Sequence, residues 1–477
     1  MNRIVLLILG SCEEIMEKTE NTNPKSMSGS SRTPGEFTRE EVTSTTDRSA
    51  GSAPNTRASE VALAEGSELM VNSLGEYVQA WVKRIRNGDS GVLPVLGGLI
   101  AIVIIFQVQN SLFLSAGNLV NLLVQGAVFV LLGMAEVFVL LLGEIDLSVG
   151  YVAGVGAAIT AILASPFGGS WPWWIAIAAG LASTVFIGTL QGVLITRLHL
   201  PSFVVTLAGL LGWEGVMLFL IDHASPSSGG LISISNNIIY DLVNGNLNQV
   251  AGWVVMVLVV ALFAVSIVLR DHHRRSNGLA APPPSLTAMK IAVAIAAGVA
   301  LLLVCDANRG VSIPLRGVPW VVLIVLGFLG MWSFLLGRTR FGRYIYAIGG
   351  NAEAARRAGI NLSRIRTTAF ALAGLTAGIA GIIYESRLGS ISDNIDGGTL
   401  VLYAVAAAVI GGTSLFGGRG KMIHAVLGGI VIAAIYNGLG LLGVSASTEY
   451  IVTALVLLAA VTVDSMTRRG RATTSAR

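Results

Sequence analysis

The chain has 477 residues, of which 53% are hydrophobic and only 12% are charged, whereas soluble proteins carry roughly 25% charged residues. Its apolar runs approach the roughly 20 residues that a membrane-spanning helix requires, so the composition excludes a soluble multidomain protein. The net charge of +4 arises from basic residues in short connections between these runs, which is typical of membrane topology and not of nucleic-acid binding. Cys12 and Cys305 provide neither a disulfide framework nor the spacing of a metal site, and no cofactor is expected.

Residues 1–88 differ from the rest of the chain because they are rich in Ser, Thr, Glu and Gly. No apolar period runs through residues 21–57, so we expect a disordered cytoplasmic tail. The first twelve residues resemble a lipoprotein signal that ends at Cys12, but their apolar part is shorter than a normal signal core. A true start at Met16 or Met27 is an equally good interpretation of this stretch.

Twelve apolar runs follow the tail and predict an all-α, polytopic membrane helix bundle with about 10 to 12 transmembrane helices. The predicted spans are 91–109, 122–142, 149–165, 172–197, 203–220, 251–269, 287–304, 318–336, 367–384, 400–416, 423–442 and 449–464. The membrane domain is expected over 89–466, followed by a basic cytoplasmic tail over 467–477.

The distribution of basic residues predicts the orientation of this bundle. With the N-terminus inside, 20 of the Lys and Arg residues in connections and tails from Lys83 onward fall inside. Only Arg309, Arg316 and Arg387 fall outside. This asymmetry follows the positive-inside rule and predicts cytoplasmic N- and C-termini.

Two longer connections stand out between the predicted spans. The outside loop at 223–250 is rich in Ser and Asn and lacks Lys and Arg, which suits either contact with an external partner or solvated slack. The inside loop at 270–286 contains three consecutive prolines and is interpreted as a linker between two halves of six spans.

A polar interruption at 337–366 separates two long apolar runs and carries seven arginines. Within it, Asn351 is a suitable N-cap for a short helix, because its side chain can accept a hydrogen bond from a free backbone N–H. Glu353 falls in the first turn and the Arg356–Arg357 pair in the last, where the helix dipole favours an anion and cations respectively. Gly359 can supply the left-handed residue that ends such a helix. Because so short a helix is marginal alone in water, we expect a docking element on the cytoplasmic face; the alternative is an ordinary basic loop.

Two glycine-rich stretches interrupt the apolar runs at 143–150 and 411–421. Broken helices at membrane depth often form transport sites, because unwound backbone offers free polar groups. Asp146 is expected to cap the helix that follows it. The alternative for the first stretch is a tight inside turn whose acidic side chains face water. The residues predicted to line a translocation pathway are Glu144, Asp146, Ser148, Gly411, Gly412, Thr413 and Ser414.

The second glycine-rich stretch resembles a phosphate-binding loop but lacks its requirements. Leu415 stands where a Walker A motif needs glycine, and Met422 stands where Ser or Thr should follow the lysine. No other match occurs in the chain, so we expect neither an ATPase site nor catalytic residues. Glu136 and Glu214 lie within apolar runs, where they could line a pathway, carry protons or pair with neighbouring polar groups.

Three stretches carry a family resemblance: GEIDLSVG at 143–150, GGNAEAARRAGI at 349–360 and GGTSLFGGRG at 411–420. They resemble the signature stretches of monosaccharide ABC permeases of the ribose, arabinose and xylose type. The extra spans and long loops are most similar to the xylose permease branch. The resemblance extends from about residue 91 to residue 464 and does not cover the N-terminal tail.

The resemblance implies a bacterial cell-membrane importer and a set of partners. Two permease copies would form the pore within the lipid, a separate ABC ATPase would dock on the cytoplasmic face, and an extracytoplasmic sugar-binding protein would deliver the sugar. Glu353, Ala354, Ala355 and Gly359 resemble the EAA loop, which is the coupling helix of such permeases. The predicted ATPase-coupling residues, extended by the capping and charge arguments, are Asn351, Glu353, Ala354, Ala355, Arg356, Arg357 and Gly359. A proline usually follows such loops, and its absence from 360–366 leaves the docking geometry open.

Two other interpretations remain open from the sequence. The first is an ion-coupled secondary transporter that uses Glu136, Asp146 or Glu214 and needs no ATPase. The second is an ABC permease for branched-chain amino acids, which keeps the architecture and changes the cargo. The residues alone do not identify the sugar.

Overall fold

The computed structural model describes residues 93–224, 230–279, 281–310 and 314–455, together with Leu458 and Thr462. The predictions for the tails at 1–88 and 467–477, and for most of the last span, lie outside the described residues.

The apolar runs form helices, because a helix satisfies its own backbone hydrogen bonds where lipid offers none. The helices are α1 (Leu93–Gln109), α2 (Ala116–Leu140), α3 (Val149–Ala164), α4 (Trp173–Arg197), α5 (Ser202–Ala224), α6 (Asn237–Asn244), α7 (Gln249–Ser276), α8 (Pro284–Asp306), α9 (Trp320–Arg338), α10 (Arg340–Gly350), α11 (Ala352–Arg357), α12 (Leu362–Leu388), α13 (Gly397–Ile410) and α14 (Met422–Leu441). The backbone is helical again over 446–455.

The predicted all-α, multi-pass architecture is confirmed, since eleven of the twelve predicted spans coincide with one of these helices. Among the described residues, eight helices are long and apolar enough to cross a membrane, and α1, α3 and α13 are shorter apolar helices. The predicted span at 400–416 is corrected, because α13 ends at Ile410. With 14 residues, α13 reaches only about 21 Å, less than the roughly 30 Å of a hydrocarbon core.

The centre of the bundle is α12, which packs against α2, α3 and α4. Its crossing with α4 depends on two glycines. A Cβ at Gly188 would lie 2.2 Å from the carbonyl oxygen of Phe370, and a Cβ at Gly374 would lie 2.3 Å from that of Thr184. Small residues at such crossings permit the close van der Waals packing that holds membrane helices together.

The pair formed by α7 and α8 lies at the periphery of the bundle. Only 6% of the most apolar stretch of α7 and 11% of that of α8 are buried, against 89% in α2. Near the connection between the two helices, Thr287 Oγ1 donates a hydrogen bond to Asp271 at 2.6 Å. Because the apolar faces of this pair have few protein neighbours, they are suited to contact with lipid.

Two short strands and a short helix lie where the sequence analysis expected only loops. Strand β1 (Leu231–Ser233) pairs antiparallel with β2 (Ser390–Ser392), and α6 packs beside α12. Ser386 of α12 connects to α6, because its Oγ accepts the N–H of Val243 at 3.2 Å and donates to the carbonyl oxygen of Tyr240 at 3.0 Å. The outside loop is therefore folded against the bundle wherever it is described, and it is not solvated slack there.

We call the end of the bundle that carries residues 337–366 the loop end. The connections between α2 and α3 and between α13 and α14 reach the same end, because Arg366 pairs with Glu144 and the N–H of Gly418 donates to the carbonyl oxygen of Leu141. Strands β1 and β2 and helix α6 lie at the opposite end. The three basic residues expected outside lie at that opposite end: Arg309 follows α8, Arg316 precedes α9 and Arg387 lies in the last turn of α12.

Candidate functional site

The loop end carries an amphipathic helix, α10, that follows α9 after the single extended residue Thr339. The Thr339 side chain caps α10 by accepting the N–H of Gly342 at 3.3 Å. Gly342, Ile345 and Ile348 are buried at a spacing of three residues, so one face of α10 packs into the core. This packing fixes the position of the segment that follows.

The predicted short helix is confirmed as α11, with the predicted residues at both ends. Asn351 Oδ1 accepts the N–H of Ala354 at 2.9 Å at the start of the helix. Gly359, with φ of +82°, closes it, and the N–H of Ile360 donates to the carbonyl oxygen of Ala355 at 3.1 Å. This arrangement is a Schellman motif, in which a left-handed residue lets the last carbonyls find partners.

Helix α11 presents charged side chains to solvent from an anchored backbone. Ala355 is 4% exposed and packs in the core, whereas Glu353, Arg356 and Arg357 are exposed. Glu353 accepts hydrogen bonds from Arg356 at 2.9 and 3.0 Å and from Arg357 at 3.0 Å. The Arg356 guanidinium, followed by that of Arg357, holds the pKa of the Glu353 carboxyl below its usual range. The result is a small charged surface on a helix that is held in place by the buried Ala355.

The last residues of α10 meet both glycine-rich stretches in what we call the glycine junction: Gly143, Gly349, Gly417 and Gly418. A Cβ at Gly349 would lie 1.8 Å from the carbonyl oxygen of Leu141 and 2.5 Å from the nitrogen of Gly418. Gly418 N–H donates to the same Leu141 oxygen at 2.9 Å. Since three backbones pass at these distances, no side chain fits between them.

The second stretch forms a turn at the loop end after α13 ends at Ile410. A Cβ at Gly411 would lie 1.8 Å from the carbonyl oxygen of His424, so the start of α14 packs directly on this turn. Tyr346 of α10 donates from its hydroxyl to the carbonyl oxygen of Gly420 at 2.7 Å. Three predicted pathway residues therefore lie beside the element that carries α11: Gly412, which has φ of +111°, and the buried Thr413 and Ser414.

The first stretch begins at the loop end and then re-enters the bundle. Gln191 Nε2 donates to Ser148 Oγ at 2.7 Å. Gln191 lies six residues before α4 ends at Arg197, which corresponds to about 9 Å along the helix. Ser148 is 0% exposed and Asp146 is 3% exposed, so both lie inside the protein.

The start of α3 differs in detail from the expectation. Ser148, and not Asp146, is the residue immediately before the helix that begins at Val149. Asp146 Oδ1 accepts the N–H of Ser148 at 2.9 Å and its hydroxyl at 2.6 Å. The prediction that Asp146 caps α3 is corrected: Asp146 lies two residues before the cap residue Ser148, and its carboxylate holds that residue in place.

Glu144 and Arg366 join the first stretch to the beginning of α12. Glu144 Oε1 lies 3.0 Å from Arg366 Nε, although their alignment is not that of a hydrogen bond, and Glu144 Oε2 has no hydrogen-bond partner among the described residues. Burial raises the pKa of Glu144, and the Arg366 guanidinium opposes this shift. The alternative of an acidic turn that faces water is wrong for this buried residue.

Helices α3 and α13 begin beside each other although they enter from opposite ends of the bundle. A Cβ at Gly150, in the first turn of α3, would lie 2.0 Å from the carbonyl oxygen of Gly397, the first residue of α13. Both helices are shorter than a full span, with 16 and 14 residues. The predicted pathway residues of the first stretch thus lie next to the meeting point of two short helices, and their role in translocation remains a prediction.

Acidic residues also occur inside the helices. Glu136 of α2 is fully buried near Asp146, and neither carboxylate oxygen has a hydrogen-bond partner among the described residues. Glu214 of α5 is half-buried beside Tyr151. Glu385 of α12 is fully buried with both oxygens unpartnered in the described chain. The sequence analysis missed it because the predicted span ended at residue 384.

A cavity at the opposite end was also missed by the sequence analysis. It has a volume of about 210 Å³ and lies between α2, α12, α13 and α14. We call it the tyrosine cavity, and its lining is Gln125, Val128, Phe129, Tyr384, Arg387, Asn394, Asp396, Thr399, Leu400, Tyr403, Tyr436, Glu449 and Tyr450. One signal was available: Tyr384 and Arg387 are three residues apart on one helix face, but Arg387 was used only for orientation.

Comparisons with known proteins identify the family. A family model described as the permease component of branched-chain amino acid transport systems matches residues 118–461. The chain belongs to this permease family. The xylose transport system permease protein XylH of Escherichia coli (strain K12) is 36% identical over 381 residues, which are 79% of this chain and 92% of that protein.

Two further relatives show the same pattern. XylH of Haemophilus influenzae is 35% identical over 395 residues, or 81% of this chain and 99% of that protein. The ribose import permease protein RbsC of Escherichia coli (strain K12) is 32% identical over 373 residues, or 77% of this chain and 92% of that protein. No solved structure matches the chain. The resemblance to monosaccharide ABC permeases that the sequence predicted is confirmed.

Proposed function

We propose that this chain is the transmembrane permease subunit of an ATP-driven importer of a monosaccharide, with a pentose such as xylose as the cargo. The observation that carries the proposal is the match to the xylose permeases, which extends over 92% to 99% of their length. Branched-chain amino acids, the cargo in the family description, remain the alternative for the same architecture.

In this proposal, α11 couples the permease to a separate ATPase subunit. The helix is capped at both ends, anchored through the buried Ala355 and exposed over its charged face, which supports a rigid docking element. Movement of α11 would be passed on through α10, because Gly349 contacts both Leu141 and Gly418. The coupling site proposed from the sequence is retained in full: Asn351, Glu353, Ala354, Ala355, Arg356, Arg357 and Gly359.

The partners follow from the orientation that the charges favour. The loop end, which holds the seven arginines of 337–366, would face the cytoplasm and the ATPase. The opposite end, with α6 and the strand pair, would face an extracytoplasmic sugar-binding protein. A second copy of the chain would complete the pore, and lipid would cover apolar faces such as those of α7 and α8.

The translocation pathway is proposed to pass the meeting point of α3 and α13. Asp146 and Ser148 lie beside this point and are buried, which supports a place on the route. Glu144 and the turn with Gly411, Gly412, Thr413 and Ser414 would form its cytoplasmic end, where Arg366 and α10 make contact.

The first experiment is a pull-down of the tagged chain from detergent-solubilised membranes, followed by uptake of radiolabelled xylose into proteoliposomes with the recovered partners. We expect an ATPase subunit to co-purify and uptake to require ATP. Uptake by the chain alone, abolished when the ion gradient is collapsed, would support the secondary transporter and contradict this proposal. ATP-driven uptake of valine without uptake of any pentose would assign the other cargo.

Matched variants test the coupling surface separately. Ala354 is exposed on α11, so Ala354→Trp should obstruct docking without loss of core packing. His272, exposed at the end of α7, provides the control His272→Trp at the same end of the bundle. We expect ATPase recovery to fall at least tenfold for Ala354→Trp and to stay unchanged for His272→Trp. Equal recovery with both variants, or normal transport by Gly359→Pro, would show that α11 is not the coupling element.

A further inference from the structure

The tyrosine cavity has an aromatic wall that is held in a fixed shape. Phe129 contacts Tyr403 and Tyr436 edge-to-face, with ring centroids 5.2 and 5.6 Å apart. The ring centroids of Tyr403 and Tyr436 are themselves 6.4 Å apart. Such rings bury apolar area while their hydroxyl groups remain available to a polar ligand.

The rest of the cavity carries hydrogen-bonding groups of both kinds. Arg387 forms no salt bridge with any described residue, and no described group hydrogen-bonds the Tyr384 hydroxyl, so both can donate to a ligand. On the other side, Asp396 accepts the N–H of Thr399 at 2.8 Å, the Thr399 hydroxyl, and the Tyr450 hydroxyl at 3.4 Å. Glu449 accepts the Tyr403 hydroxyl at 3.2 Å. Each carboxylate has further acceptor capacity beyond these bonds.

The size of the cavity fits a small ligand. Its volume of about 210 Å³ equals that of about seven waters at their share of liquid volume, roughly 30 Å³ each. A single sugar ring fits this space, whereas a disaccharide or a peptide does not.

We propose that the tyrosine cavity is a subsite that binds the sugar ring on the extracytoplasmic side of the pathway. The inference rests on the proposed function and adds the residues that contact the cargo. The aromatic wall takes the C–H face of the ring, Arg387 and Tyr384 donate to ring hydroxyl oxygens, and Asp396 and Glu449 accept from ring hydroxyls. Asp396 immediately precedes α13, so the subsite adjoins the helix that leads to the meeting point with α3.

The lining favours a neutral polyol over other small ligands. Two carboxylates against one guanidinium disfavour an anion such as a sugar phosphate. A branched-chain amino acid could pair its charged groups with Arg387 and a carboxylate, but its side chain needs an aliphatic pocket. Val128 and Leu400 are the only aliphatic residues in the lining, among the described residues, while five of its members are aromatic.

The test uses the complete importer, reconstituted with its ATPase and binding protein, with xylose and its C3 epimer ribose as probes. Tyr384→Phe removes one donor at constant shape and should lower kcat/KM for xylose about three- to tenfold. Arg387→Gln should lower it more than tenfold, because charged donors contribute more. Ser266→Ala, which removes an exposed hydroxyl from the peripheral helix α7, away from every proposed site, is the control and should leave it unchanged.

The ratio of xylose to ribose uptake separates contact from damage to the fold. A group that touches the sugar distinguishes epimers, so Tyr384→Phe and Arg387→Gln should change this ratio, while a structural defect lowers both rates alike. Variants that match Ser266→Ala, or that lower the uptake of both sugars equally, overturn the subsite and leave the proposed function standing. Failure of the wild-type importer to take up any monosaccharide overturns the proposed function instead.

Discussion

At the residue scale, the glycine junction holds three segments of the loop end together by direct backbone contacts. Gly349 faces the carbonyl oxygen of Leu141, and Gly418 donates to that same oxygen. Gly417 and Gly418, with φ of +82° and +70°, adopt left-handed backbone that other residues rarely accept. In the proposed function, this close backbone contact would pass a movement of α11 to both glycine-rich stretches.

Replacement of Gly349 tests this junction. Gly349→Ala should destabilise the protein by about 2–4 kcal/mol, because its Cβ would overlap backbone atoms that cannot move away. The neighbouring Gly350→Ala is the control, since nothing lies within 4 Å of its Cβ, and it should be neutral or stabilise by up to about 1 kcal/mol. Thermal unfolding of the detergent-solubilised proteins measures both effects. Equal midpoints for the two variants would contradict the close contact.

The buried Glu144 gives a pH-dependent prediction. Because burial raises its pKa despite Arg366, its contribution to stability is fully present below the ordinary glutamate pKa of about 4.3 and is lost as the pH rises through the raised value. Above the raised pKa, the ionised carboxylate therefore costs stability. Glu144→Gln, which stays neutral, should match or exceed the wild type by up to about 1 kcal/mol at pH 7.5. The difference should vanish at pH 4.

Arg366→Gln is the complementary variant for this ion pair. It leaves the buried carboxylate without its counter-charge, so it should destabilise by about 1–3 kcal/mol at pH 7.5 and recover on acidification. Unfolding midpoints at several pH values measure both variants. A Glu144→Gln protein that is less stable than the wild type at pH 7.5 but not at pH 4 would show that the ionised form is favoured.

At the element scale, α11 is stabilised by caps at both ends and by one buried side chain. It has only six residues, fewer than an isolated helix needs in water. The Asn351 cap, the left-handed Gly359 and the buried Ala355 supply the stabilisation that so short a helix lacks. Because these features hold the helix in place, its exposed charged side chains are available to a partner.

Replacement of the N-cap residue tests the stability of α11 without changing its charged side chains. Asn351→Ala should destabilise the helix by about 1 kcal/mol, because the N–H of Ala354 loses its acceptor, whereas Asn351→Asp should preserve the cap. Hydrogen exchange of the amides of 352–357 measures the local effect, and ATP-dependent uptake measures the functional one. The prediction fails if Ala and Asp variants exchange alike.

At the scale of the whole molecule, the bundle has two chemically different ends. The loop end combines the arginines of 337–366 with the glycine junction, and the opposite end combines the strand pair, α6 and the tyrosine cavity. Short helices α3 and α13 begin next to each other between these ends. In the proposed function, the loop end would face the ATPase and the opposite end would hold the cargo.

Cysteine labelling tests the orientation of these ends. Ala358→Cys lies exposed at the loop end and Asp393→Cys lies exposed at the opposite end. In a Cys12→Ser background, the native Cys305 is buried and should not react. A membrane-impermeant maleimide should label Asp393→Cys in intact cells and label Ala358→Cys only after permeabilisation. The reverse pattern would invert the proposed orientation.

Local patterns were enough to predict most helices and one site element. Apolar runs identified eleven helices, since each satisfies its own backbone bonds in lipid. The ends of α11 followed from Asn351 and Gly359, because caps act within four residues. Asp146 was assigned to the wrong cap position, since its sequence spacing does not show that the helix begins only after Ser148. The end of α13 at Ile410 was not predicted, because it depended on where the second glycine-rich stretch turns.

By itself, the sequence determined the membrane class of this protein, its long apolar helices and the capped helix at 352–357, because these features depend on composition and on neighbours along the chain. Only the tertiary structure decided which distant groups meet. Gly349 contacts Leu141, Gly150 contacts Gly397, and the tyrosine cavity gathers side chains from residues 125 to 450. Such contacts depend on helix crossings across hundreds of residues, and no local pattern of hydrophobicity, charge or turn residues specifies them.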